Sequence, residues 1–162
     1  MPLHICVLTS VHRPFDGRIF HRQCVTLARA GYRVSLVAPA EFEQRVEAGV
    51  TVLGVPPAAN RRERPRVWRH LFRQARRLRP DVIHFHDPEL LLLVPLFRGR
   101  FGRRVKLVYD VHEYFADSLA NKYWLPRPVR LAAPALARRA ERALARGVDG
   151  IVCAVQAQTS LF

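Results

Sequence analysis

The stretch "DVIHFHDPELLLLVPLF", residues 81 to 97, decides the fold. Its first six residues carry Val82, Ile83 and Phe85 and read as a strand. Asp87 and Pro88 then punctuate the chain, the aspartate placed as a helix N-cap and the proline as the first helical residue. An apolar helix follows. A strand that passes through a cap into a helix is half of a βαβ unit, so the question is whether the pattern repeats.

It does, in both directions. Upstream, "LHICVLTS" supplies a strand from Leu3 to Thr9, and the polar loop "VHRPFDGR" leads into "IFHRQCVTLARAGY". There Phe20, Cys24, Leu27 and Ala28 share one helical face, with Ile19 at its edge, and Gly31 stops the helix. Residues 32–39 and 49–56 are the second and third strands, joined by the charged connection "AEFEQRVEA". In the next helix, Val67, Trp68, Leu71, Phe72, Ala75 and Leu78 trace an apolar stripe. Downstream, "RVKLVYD" is a fifth strand, residues 129–147 a long helix closed by Gly147, and "DGIVCAV" a sixth strand. Alternating strands and helices predict an α/β domain: a doubly wound, Rossmann-like, mostly parallel sheet with helices on both faces, joined by right-handed crossovers. One such domain fits the 162 residues.

Composition narrows the function classes. Hydrophobic residues make up 49% and charged residues 25%, which is globular rather than disordered. The longest apolar block, 90–97, is broken by a proline and too short to span a bilayer. The N-terminus has no basic region followed by a cleavage site, so a cytoplasmic protein is expected. Cys6, Cys24 and Cys153 show no C-x-x-C spacing and read as small hydrophobes. The formal net charge of +14 comes almost wholly from arginine and favours phosphates, nucleic acid or an anionic membrane. Nine arginines against one glutamate concentrate at 61–79. The favoured reading there is a core-facing helix with a solvated basic face. A peripheral contact with an anionic membrane is the alternative, and no recognition motif points to a specific nucleic acid.

Ligands of such sheets bind at the carboxyl ends of the strands. Three polar groups fall there: Ser10, His12, Arg13, Asp16, Gly17 and Arg18 after strand one; His84, His86, Asp87 and Glu89 at strand four; Asp110, His112 and Glu113 at strand five. The first loop precedes a helix N-terminus, where Gly17 permits close approach, Arg18 suits phosphate and Asp16 can cap the helix. G-x-G-x-x-G is absent, so this is no dinucleotide fingerprint. His84 and His86 share a strand face, and with a carboxylate and His112 they could in principle close a zinc site. The sequence lacks H-E-x-x-H, and no metal is expected. His86 reads as pocket-lining and His84 as a core histidine. His112 is either a ligand-contacting or acid/base histidine, or a loop histidine held by Asp110.

Taken in order, "HRPFDGRIFHRQCVTLARAGYRVSLVAP", "RPDVIHFHDPELL", "KLVYDVHEYF" and the tail "AERALARGVDGIVCAV" resemble the N-terminal domain of family 4 glycosyltransferases of the GT-B fold. The resemblance implies transfer of a sugar from a nucleotide-sugar donor to an acceptor hydroxyl, with retention and without a metal or other cofactor. It implies that this domain shapes the acceptor side, while an absent C-terminal domain carries the nucleotide site, so that the isolated chain is inactive. It assigns His112 to the donor sugar. Asp16 and Gly17 fall where many members carry a glycine pair near the donor phosphate; here one glycine is present. His12 and Arg18 become acceptor- or phosphate-side candidates, and His86 a cleft residue. The acceptor stays unidentified; a lipid-linked one would bring the protein to the inner face of the cytoplasmic membrane. The competing class is a stand-alone basic module for anionic membrane or nucleic acid.

Overall fold

The structure is a computed structural model that describes residues 2–111, 126–155, 158, 159 and 162. His112, Glu113 and the aromatic loop residues after them lie outside the described residues. The strands are β1 (His4–Leu8), β2 (Arg33–Pro39), β3 (Gln44–Glu47), β4 (Val50–Val55), β5 (Val82–Phe85), β6 (Lys106–Val111) and β7 (Gly150–Cys153). They form one sheet in the order β3-β4-β2-β1-β5-β6-β7. Every neighbouring pair is parallel except β3 with β4. The helices are α1 (Val25–Arg29), α2 (Arg64–Leu78), α3 (Val94–Phe101) and α4 (Arg127–Ala145). A π-wound stretch, Gly17–Cys24, leads into α1, and a 3₁₀ stretch, Pro88–Leu93, leads into α3.

Two cores flank the sheet. On one face Ile5, Val7, Leu36 and Val52 pack with Ile19, Phe20 and Cys24 of the first helical segment. On the other, Leu8, Ile83, Phe85, Leu107 and Tyr109 pack with Val67, Leu71 and Ala75 of α2 and Phe97 of α3. The apolar stripes expected on both helices are thus the faces they bury. Cys6 and Cys24 are buried free thiols, and burial pushes the Cys24 thiol up to about 12. No helix among the described residues is long and apolar enough to cross a membrane.

The doubly wound sheet expected from the sequence is present, with one added strand. β3 lies inside the charged connection and pairs antiparallel with β4, Arg45 opposite Val52. All its residues are exposed, and "QRVE" carries no buried face to create an apolar alternation. It is an edge strand blunted by charge. A close backbone approach pins the loop before it: the Gly54 N–H donates to the Glu43 carbonyl at 2.9 Å. A Cβ on Gly54 would lie 1.7 Å from the Phe42 carbonyl oxygen. Gly54→Ala therefore forces the loop off β4, and thermal or urea unfolding is expected to show a loss of about 1–3 kcal/mol. Wild-type stability in that variant would contradict the contact.

Candidate functional site at the carboxyl rim

β1 is the point where the winding reverses: the chain passes from it to β2 on one side and resumes as β5 on the other. The crevice beyond the carboxyl ends of β1, β5 and β6 is therefore the ligand position of this architecture. Two buried carboxylates organise it.

The first is Asp110, on β6 and fully buried. Its Oδ1 accepts from Arg18 Nη2 at 2.9 Å and its Oδ2 from Gln23 Nε2. His84 Nε2 stands 3.6 Å and His86 Nδ1 3.9 Å from Oδ2, and the two imidazole rings are tilted against each other at 4.7 Å. Burial alone would push the Asp110 carboxyl up. The contacts from His84, His86, Gln23 and Arg18 outweigh it and hold the group well below the usual carboxylate range. The winding of the first helical segment makes this possible. Asp16 Oδ1 caps it, accepting from Arg18 N at 2.8 Å and Ile19 N at 2.9 Å, and the Asp16 carbonyl accepts from His21 N, five residues on. In a π-turn, residues five apart come nearly into line, so Arg18 and Gln23 reach one carboxylate. On an α-helix they would diverge by roughly 140°.

The second is Asp87. The structure corrects its expected capping role: its side chain makes no cap hydrogen bond. The carboxylate turns instead to the loop after β1. Its Oδ2 accepts from Thr9 Oγ1 at 2.9 Å and from the Ser10 N–H, with Ser10 Oγ 3.1 Å away, and its Oδ1 lies 3.4 Å from His12 Nε2. Here too burial pushes the carboxyl up, and the contacts with His12, Ser10 and Thr9 outweigh it, lowering its pKa. Glu89 extends the network, accepting from Ser10 Oγ at 2.6 Å and Trp68 Nε1 at 2.9 Å, and pairing with Arg64.

The candidates thus fall into two groups. Arg18 and His86 meet at Asp110; His12 meets Asp87. Asp16 caps the helix, and Gly17 is exposed with open space where a Cβ would point. Sequence reading missed Gln23, Thr9 and Arg64. It placed Trp68 in the apolar stripe, where the indole ring does pack, without the polar contact at its edge. No signal in the sequence marks Gln23, because its partnership depends on the π-winding.

Among the described residues His84, His86 and Asp110 are the group whose donor atoms cluster tightly enough for a metal, within 4.8 Å. The chemistry disfavours that use. Both carboxylate oxygens already accept hydrogen bonds, and one donor is a guanidinium that repels a cation.

Asp110 makes a direct prediction. A folded-state pKa below the unfolded value contributes stability that is complete above the unfolded carboxylate range and is lost progressively as pH falls from there through the folded value. Asp110→Asn is expected to cost about 2 kcal/mol at pH 7, allowing for the partial exposure of Arg18. It is also expected to flatten the loss of stability below about pH 4. Urea unfolding from pH 7 to pH 3 checks both.

A family model described as "Glycosyl transferase 4-like domain" matches residues 17–162. Among solved structures, sucrose-phosphate synthase from Thermosynechococcus elongatus aligns with TM-score 0.64 and 13% identity, over 92% of this chain and 41% of that one. The catalytic domain of starch synthase IV from Arabidopsis thaliana, bound to ADP and acarbose, aligns with TM-score 0.54 and 13% identity, over 71% of this chain and 35% of that one. The chain thus spans less than half the length of either. At that identity the likeness is one of fold. Comparison with curated protein sequences gives no match.

Proposed function

The chain belongs to the glycosyl transferase 4-like domain family, and from that premise we propose that it is the acceptor-side half of a glycosyltransferase. In this reading it works with a nucleotide-sugar donor held mainly by a second domain, and transfers the sugar to an acceptor hydroxyl with retention. The observation that supports the proposal is the polar rim built around two buried carboxylates at the switch point, in a chain matched by this family over residues 17–162.

Glycosyl transfer builds positive charge on the sugar ring and negative charge on the leaving phosphate. The needed groups are neutral polar ones near the sugar, and N–H or cationic ones near the phosphate. His112 directly follows Val111, the last residue of β6, and is proposed to position the donor sugar. Arg18, whose buried Nε–H has no hydrogen-bond partner among the described residues, is proposed to face the phosphate, with Gly17 leaving room beside it. Asp16 acts by holding that turn. His12 and His86 line the acceptor side, each steadied by a buried carboxylate. The leaving phosphate can take the acceptor's proton, so the proposal requires no separate base, and no metal enters it.

The test is sugar transfer by the complete enzyme across a panel of nucleotide sugars and acceptors, read as acceptor-dependent nucleotide release. Transfer is expected to need a nucleotide-binding domain joined to this one. No transfer from any donor would refute the reading. Within an active enzyme, His112→Ala is expected to lower kcat about 100-fold with the fold intact; near-normal turnover refutes its role.

One observation favours a second reading. On α2 the residues Arg66, Arg69, Arg73 and Arg76 are exposed at helical spacing, a stripe opposite the buried Val67, Leu71 and Ala75. Such a stripe suits an anionic membrane surface, at about 1 kcal/mol per arginine. Binding to phosphatidylserine vesicles that weakens with salt, and falls at least tenfold when these four become glutamine, would support a peripheral membrane contact. Binding unchanged by the four substitutions removes it.

A further inference from the structure

Away from the two carboxylate networks, the same end of the sheet carries a cavity that the proposed mechanism does not use. It is open, of about 680 Å³, and lined by Arg13 and Phe15 of the first loop and by Glu41, Phe42 and Arg45 beyond β2. Its floor is preorganised. Phe42 stacks with Phe15 at 6.2 Å, and Phe15 meets Phe20 of the core edge-on at 5.0 Å. The Arg45 guanidinium lies over the Phe42 ring, 4.4 Å from its centroid. The backbone beneath is fixed, because the Phe42 carbonyl lies against Gly54 too closely to admit a side chain there. Neither Arg13 nor Arg45 has a carboxylate partner among the described residues. Two guanidiniums against the one carboxylate of Glu41 leave the lining with one net positive charge.

We propose that this cavity binds an acidic sugar residue of the acceptor. The proposal rests on the acceptor-side reading above and names the substrate class for it. Stacked against Phe15 and covered by Arg45, the Phe42 ring gives the cavity an apolar wall and holds that guanidinium in place to meet an anion. Arginine forks match a carboxylate or phosphate bidentately. Glu41 accepts from ring hydroxyls and, with the net charge of one, sets a limit of one acid group per bound residue. A neutral sugar would leave the lining's one net positive charge uncompensated. The position agrees, since Ala40 and Glu41 follow β2 at the carboxyl end of the sheet, on the same side as the switch-point crevice.

The experiment titrates the full 162-residue chain with cellobiouronic acid and, separately, with cellobiose at matched ionic strength, followed by amide chemical shifts. The acidic disaccharide is expected to bind at least about fivefold more tightly and to shift the Phe42 and Arg45 amides. Arg13→Gln and Arg45→Gln, both at exposed positions, should each remove the preference, while Arg103→Gln, exposed elsewhere, should leave it intact. Equal binding of the two disaccharides, or a preference surviving both substitutions, overturns the proposal. Shifts confined to Ser10 and His86 overturn the cavity assignment and leave the acceptor-side reading standing. Absence of shifts with either sugar overturns the cavity assignment too; transfer by the complete enzyme then decides the wider reading independently.

Discussion

The carboxylate of Asp110 is the constraint on which the rim depends. Burying a charge costs several kcal/mol unless it is matched by good geometry. Here the match comes from elements that are distant in sequence: Arg18 and Gln23 from the first helical segment, His84 from β5 and His86 just after it. Meeting that requirement fixes the rotation of the helical segment over the sheet. It also sets which residues the loop before it can present. The π-winding serves the same contact, because it brings both donors toward one acceptor. An uncommon helix geometry thus goes together with a buried charge that it satisfies.

Asp87 does for the first loop what Asp110 does for the first helix. A carboxylate that follows a strand and precedes a proline reads as an N-cap, and the backbone obliges, with the Leu90 N–H donating to the Asp87 carbonyl. The side chain has better partners. Thr9, Ser10 and His12 bring polar groups to a buried carboxylate, where hydrogen bonds to a charged acceptor are stronger than at an exposed helix end. Local propensity gave the helix start correctly and the side chain's destination wrongly, since that destination lies 78 residues away in sequence.

The same division runs through the molecule. Strands and helices with a buried face were legible, because burial writes a period into the sequence: Val67, Leu71 and Ala75, or the continuous run of β1. Elements without one were not. β3 is exposed throughout and exists because β4 offers it an edge. The rim residues were legible as a group, since ends of parallel strands can be counted off. Their pairing was not, because it depends on side-chain reach and helix winding. Gln23 is the clearest case.

The family match and the low identity to the aligned structures fit this division. The two cores need only apolar residues of suitable volume at the right period, so many sequences satisfy them and identity drifts to 13% while the sheet persists. The buried carboxylates are less forgiving, because each removed partner leaves a charge unmatched. The loop beyond β2 lies between these extremes. Gly54 fixes its path, yet of the side chains it displays Arg45 is exposed and Phe42 only half-buried, and neither satisfies an internal requirement as strict as that of Asp110. A rigid backbone bearing side chains free to vary is the arrangement in which ligand preference can change without cost to the fold. For that reason the choice of acceptor is better sought around Phe42 than among the buried groups of the rim.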